Sequence, residues 1–393
     1  MSDGLVRLLD GNTFVVSEES GDIDASPAIP TGLFSFDTRF LSKWILSING
    51  ERVNALNVEE VEYFESRFFV VPTVPTPLVD ISVSAIRERS IGGSFTERLT
   101  VINHEPEPVD LRIRIDIESD FADLFEIKDV HHKTGTYYAR IEDGSLRLGY
   151  QRETFRRETL VSSTQVARID EQGMTYDVHL APHGRWVTDV HVQTLGVDGR
   201  DLRETLQGRP GRARLQMRED LDRWLAEAPR LACDSATLAM TYRRSLADLA
   251  ALRFTPLTSG GHALPAAGLP WFMAIFGRDS IFTSLQALPF APDLAATTLR
   301  LLALLQGVVF DDFREEEPGK ILHELRYGET TGFEEQPHSP YFGSADATPL
   351  YVVLLDEYER WTGDAATVRL VEPSARAALH WIDEYGDLIG DGY

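Results

Sequence analysis

The chain has 393 residues, enough for two domains, and its 43% hydrophobic and 10% aromatic content supports buried cores and excludes global disorder. Thirty-eight Lys and Arg against 62 Asp and Glu leave a formal charge of −24, which repels phosphate backbones and anionic lipid and argues against a nucleic-acid-binding or lipid-binding surface. The single cysteine, Cys233, cannot close an internal disulfide, the N-terminus has no apolar signal core, and no apolar run approaches the ~18 residues of a membrane span, so a cytoplasmic protein is expected.

Up to about residue 195 the dominant pattern is alternation with period two. Asn49-Gly50 lies between WILSI and ERVNAL and signals a two-residue hairpin, because both residues tolerate the positive φ of a type I′ turn. Strands are predicted over 68–74, 79–87 and 95–103. The clearest is Pro108–Glu118, where Val109, Leu111, Ile113, Ile115 and Ile117 share one face and charged residues the other. His131-His132 falls between strands and reads as surface. Asp143-Gly144 signals a second hairpin, and further strands are predicted over 160–169, 174–181 and 185–195. About a dozen short strands without helical pattern predict an antiparallel β-sandwich over residues 1–195.

Residues 196–215, rich in Gly and Arg, read as a connector. From 216 to 393 the period is helical. A short helix is predicted over 217–227; Asp234 or Ser235 caps another running to Arg253, with Cys233 before it as a small packing residue. Others are predicted over 278–288, 292–306, 346–361 and 365–385. Leu301, Leu302, Leu304 and Leu305, and the apolar run Tyr351–Leu355, leave little polar face, as in the buried inner ring of a double-layered helical barrel. Roughly 175 residues hold five or six helices, whereas a closed barrel of twelve needs roughly 300, so the expectation is an incomplete barrel. The final GDLIGDGY reads as a turn, since Ile389 falls where a calcium loop would want a ligand oxygen.

Three windows carry chemistry. In 262–285, Pro265 and Pro270 hold an extended approach, Gly277 allows close packing, and Arg278, Asp279 and Ser280 open a helix beside Trp271, Phe272 and Phe276. Aromatic faces, a carboxylate and a guanidinium suit the C–H face and hydroxyls of a sugar, although Asp279 and Ser280 equally suit a plain helix start. In 311–335, nine acidic residues face three Lys or Arg. Glu315, Glu316 and Glu317 read as a solvated acidic loop, while the stretch Lys320–Glu329 alternates charged with apolar residues and must approach the core. His323-Glu324 does not open a zinc motif, because HExxH would need a second histidine where Tyr327 stands, and metal chemistry has no support. In 340–350, Ser344 can cap the next helix and Asp346 sits in its first turn, either for the helix dipole or as a further hydroxyl-binding carboxylate.

Five blocks in order carry a family resemblance: GLFSFDTRFLSKWILSING (Gly32–Gly50), ESDFADLFEIK (Glu118–Lys128), LPAAGLPWFMAIFGRDS (Leu264–Ser280), EEEPGKILHELRYGE (Glu315–Glu329) and YFGSADATPLYVVLLDEYERWTGD (Tyr341–Asp364). With them the chain resembles bacterial and archaeal glycogen-debranching, amylo-α-1,6-glucosidase-like proteins. The resemblance implies an antiparallel β-sandwich followed by an incomplete (α/α)6 barrel of the glucoamylase and trehalase kind, without cofactor or metal. It implies inverting hydrolysis of α-glucosidic bonds, of the α-1,6 type, in glycogen or a branched α-glucan. It further implies that Trp271, Phe276, Arg278 and Asp279 hold the non-reducing glucose, with His323, Glu324, Arg326 and Asp346 as further binding residues. Inversion needs a general acid and a base about 6.5–9.5 Å apart, and in this family both are expected beyond Tyr393. Two other readings stand beside this one. One is a non-catalytic carbohydrate-binding or regulatory protein complete at this length. The other is the same fold acting on trehalose or another small glycoside.

Overall fold

The computed structural model describes residues 4–26, 30–72, 81–92, 94–129, 133–196, 214–254, 263–386 and 390. His131-His132, most of the predicted connector and most of the terminal GDLIGDGY lie outside the described residues. The chain divides into two compact units, Met1–Glu219 and Asp220–Tyr393. No helix among the described residues is long and apolar enough to cross a membrane.

The N-terminal unit is built from antiparallel strands in three sheets. In the largest, eight strands run in the order Thr136–Glu142, Ser145–Arg152, Phe155–Ser163, Arg185–Leu195, Ser94–Asn103, Val83–Gly92, Glu65–Val71 and Asn54–Glu62. A second sheet centres on Val109–Glu118, flanked by Gly173–Leu180 and Lys43–Ile48. A third joins Leu5–Asp10, Thr13–Glu18, Gly32–Ser35 and Thr38–Leu41. Both hairpins form as read: Ile48 faces Glu51 and Glu142 faces Ser145, with φ of 54° and 86° at Asn49-Gly50 and 50° and 73° at Asp143-Gly144. The alternation of 108–118 also holds, with Leu111, Ile113, Ile115 and Ile117 buried and Asp110, Arg112 and Glu118 exposed. The strand expected over 160–169 is corrected: pairing stops at Ser163 and resumes only over Arg168–Asp170.

Between the large sheets lies a buried charge network. Arg87, Arg89 and Glu97 are fully buried and Asp22 nearly so. Arg87 donates to Glu97 at 2.9 Å and to Asp22 at 2.6 Å, and Arg89 donates to Glu97 at 2.5 Å, directly opposite it in the hairpin. Phe68 and Phe95 flank the Arg89 guanidinium, and Trp44 packs edge-on against Phe95. Burial alone would raise the Glu97 pKa, but the two guanidiniums reverse this and hold it below the usual carboxylate range.

Eight helices occur among the described residues: α1 (Leu124–Asp129), α2 (Arg214–Glu227), α3 (Ala236–Ala251), α4 (Gly277–Ala287), α5 (Pro292–Leu304), α6 (Glu329–Gly332), α7 (Ala347–Thr362) and α8 (Ala365–Tyr385). The predicted helices match their boundaries closely, and several ends are capped. The Ser235 hydroxyl accepts the Leu238 N–H, Gly363 adopts φ 67° to end α7, and Asp364 accepts the N–H groups of Ala366 and Thr367 to start α8. α4, α5, α7 and α8 pack on one another. Two expectations fail here. Cys233 is exposed, its thiol beside the Ser235 carbonyl, and so is no packing residue. Leu301, Leu302, Tyr351 and Leu354 are buried, but Leu304 is 62% exposed and Val353 46%, so α5 and α7 are not covered on all sides.

Candidate functional site

The three sequence windows meet in the C-terminal unit through backbone bonds. Ile275 pairs with Leu325 and Phe276 with Glu324, in a two-residue antiparallel ladder that the Gly277 N–H extends to the His323 carbonyl at 2.8 Å. A third segment joins on the far side: the Tyr341 N–H donates to the Glu324 carbonyl at 2.9 Å, and the Tyr341 carbonyl accepts from His323 N–H at 2.7 Å. Gly277 is required by close approach, since a Cβ there would stand 2.1 Å from the Leu322 carbonyl oxygen. The chain turns directly from the ladder into α4, which places Arg278 and Asp279 on its first turn.

Glu324 is the electrostatic centre of the site. It is 7% exposed and accepts Arg326 Nε at 2.9 Å on one oxygen and His338 Nε2 at 3.0 Å on the other. Burial by itself would raise its pKa; the His338 hydrogen bond and the Arg326 charge outweigh burial and hold Glu324 below the usual carboxylate range. Arg326 also donates to the Trp271 carbonyl at 2.8 Å and lies over the Phe276 ring, 5.1 Å from its centroid. His323 stands edge-on between Phe276 and Tyr341, with ring centroids 5.8 and 5.9 Å away, and its buried Nδ1 has no hydrogen-bond partner among the described residues.

The second part of the site is the rim where α4 and α7 begin. Arg278 forms an ion pair with Asp346 at 2.8 Å; both side chains are nearly half exposed. Asp346 occupies the N-cap position of α7 without capping it, because its carboxylate is engaged by Arg278 and by the Ser344 hydroxyl, which itself receives the Ala347 N–H at 3.4 Å. Burial pushes the Asp346 pKa up, but the Ser344 and Arg278 contacts bring it down further. Asp279 is half-buried and accepts no hydrogen bond from another described residue, so it is not a helix cap.

The structure thus joins Phe276, His323, Glu324 and Arg326 in one cluster, draws Trp271 to it by its carbonyl, and pairs Arg278 with Asp346. Sequence reasoning missed His338 and Tyr341, which complete the cluster. It also misjudged the acidic loop. Glu315 accepts the Tyr341 hydroxyl at 2.9 Å, Glu316 accepts Val308 N–H at 2.7 Å, and Glu317 accepts Trp381 Nε1 at 2.6 Å. These carboxylates shape the loop rather than only solvating it. Among the described residues no group of His, Cys, Asp and Glu is arranged to hold a metal ion.

Residues 8–191 match the N-terminal domain of (some) glycogen debranching enzymes. Among solved structures the chain is similar to a "putative kojibiose phosphorylase from human microbiome", with TM-score 0.54 and 10% identity over 97% of this chain and 55% of that one. This likeness is one of fold, and the chain spans about half the length of that protein. A GH92 family glycosyl hydrolase follows with TM-score 0.41 and 8% identity over 96% of this chain and 61% of that one, too low to carry an argument. No curated protein matches the chain.

Proposed function

We propose that the chain serves hydrolysis of α-glucosidic bonds in cytoplasmic glycogen or a related branched α-glucan, as part of a debranching enzyme acting on α-1,6 bonds with inversion. The C-terminal helices are read as part of an (α/α)6 barrel and the ladder-held site as its terminal-glucose subsite. One observation carries this: the backbone ladder that binds the three windows together, in a chain whose residues 8–191 match the N-terminal domain of (some) glycogen debranching enzymes. In this reading Trp271 and Phe276 form the apolar wall, Arg278, Asp279 and Asp346 take hydroxyls from the exposed rim, and His323, whose buried Nδ1 has no partner among the described residues, adds a further donor or acceptor to the subsite. Glu324 and Arg326 hold the wall in place.

Glu324 and Asp346 both have lowered pKa values, so neither is suited to be the general acid, which needs a raised one. Their roles are binding and positioning. The test is Asp279→Ala in a titration of acarbose or glucose against the full chain. Binding at this subsite is expected to disappear with the melting temperature nearly unchanged, because Asp279 caps nothing. Unchanged binding with lowered stability would sink the assignment.

A further inference from the structure

The N-terminal unit contains a polar cavity of about 530 Å³, a size typical of ligand sites. Two of the resemblance blocks, Gly32–Gly50 and Glu118–Lys128, lie far apart in sequence and converge on it, and the candidate site above uses neither. Its walls are ion pairs. Arg39 donates from Nε to both oxygens of Asp120, at 3.0 and 3.1 Å, and Lys43 pairs with Glu118. Lys133 and Glu126, both more than nine-tenths buried at the side chain, pair at 2.8 Å, and Asp24 is matched by Arg52 at 2.8 Å. At the edge stands Tyr137, 49% exposed, its hydroxyl fixed to the Asp120 carbonyl at 2.9 Å.

This chemistry selects a ligand class. Every carboxylate lining the cavity is matched by a cation, so a phosphate or other anion would have to displace an existing partner to gain one. A neutral polyol need not. Its hydroxyls donate to carboxylate lone pairs and accept from the Lys43 ammonium, which its pair with Glu118 does not saturate, and the Tyr137 ring offers its C–H face a flat surface. The groups are held before any ligand arrives, which reduces the ordering cost of binding. We propose that this cavity is a second carbohydrate site, which holds a segment of a neutral α-glucan chain. The cavity calls for a neutral polyol by itself; the α-glucan identity rests on the function proposed above.

The experiment is calorimetric titration of maltopentaose into the full chain and three variants, Asp279→Ala, Tyr137→Ala and the double variant. Two binding events are expected for the parent. One should survive in Asp279→Ala, and that one should weaken at least about tenfold in the double variant. Lys43→Ala, a half-exposed change on another wall, should weaken the same event, and inorganic phosphate should not compete with it. If Asp279→Ala abolishes all binding, or if the surviving event ignores both Tyr137→Ala and Lys43→Ala, the second site is overturned and the function proposed above still stands. If the parent shows one event that Asp279→Ala leaves intact and Tyr137→Ala removes, the second site stands and the assignment of Asp279 fails. Competition by phosphate overturns the neutral-ligand selection.

Discussion

Glu324 shows how one residue can bind a site together without performing its chemistry. Its two oxygens hold Arg326 and His338, and Arg326 in turn fixes the Phe276 face and the Trp271 backbone. Replacing it with Gln removes the Glu324 counter-charge from the buried Arg326 guanidinium, and Glu324→Gln should cost about 3–5 kcal/mol in chemical denaturation. The pH dependence has a definite sign. The folded pKa of Glu324 is depressed, so its contribution is complete above the unfolded value of about 4.3 and is lost as pH falls from there through the lowered folded value. Stability curves of parent and Glu324→Gln should therefore differ most at neutral pH and converge in acid. The outer pair behaves otherwise: Arg278 and Asp346 are nearly half exposed, and breaking their bond should cost no more than about 1 kcal/mol.

Among elements, α8 depends on a cap with a measurable titration. The Asp364 pKa is brought down to about 2, first by the Thr367 hydroxyl and then by the backbone N–H of Thr367 and the Tyr358 hydroxyl. Its contribution is present above the ordinary value of 3.8 and lost as pH falls toward about 2. Asp364→Ala should lower the melting temperature at neutral pH and flatten its fall below pH 4. The sequence carries this helix start as Thr-Gly-Asp, and that of α3 as Ser235. Strands were legible where one face meets water or where a turn signal adjoins them, as Asn49-Gly50 does Lys43–Ile48. Gly32–Ser35 and Thr38–Leu41 are buried at every position, so no alternation exists to be read. Val83–Gly92 does alternate, but two of its inward positions are Arg87 and Arg89, whose burial depends on Asp22 and Glu97 elsewhere in the chain. The site follows the same logic. Phe276, Arg278 and Asp346 stood out by type beside helix starts and Glu324 through the family resemblance, whereas His338 and Tyr341 acquire their places only from pairing between segments, which no local pattern encodes.

For the whole molecule, charge and apolar exposure oppose each other. A formal charge of −24 keeps copies apart at low ionic strength. Yet in the C-terminal unit Val308 is 77% exposed and Phe310 65%, with the Phe310 ring against Tyr385 at 5.6 Å. Salt shortens the reach of the repulsion, to about 10 Å at 0.1 M, and leaves apolar attraction intact. Sedimentation should show the chain associating more at high salt than at low salt, and Phe310→Ser should reduce both this association and the binding of an apolar dye.

The ladder through Phe276, Glu324 and Tyr341 separates framework from specificity. Its geometry is carried by main-chain bonds, which every residue except proline can make, while the groups that meet a ligand hang from it as replaceable side chains. Exchange at Trp271, Arg278, Asp279 or Asp346 leaves those bonds standing. Such a site is open to divergence: descendants can trade one ligand for another by single substitutions along the rim, each passing through a folded intermediate, and an engineer can take the same route.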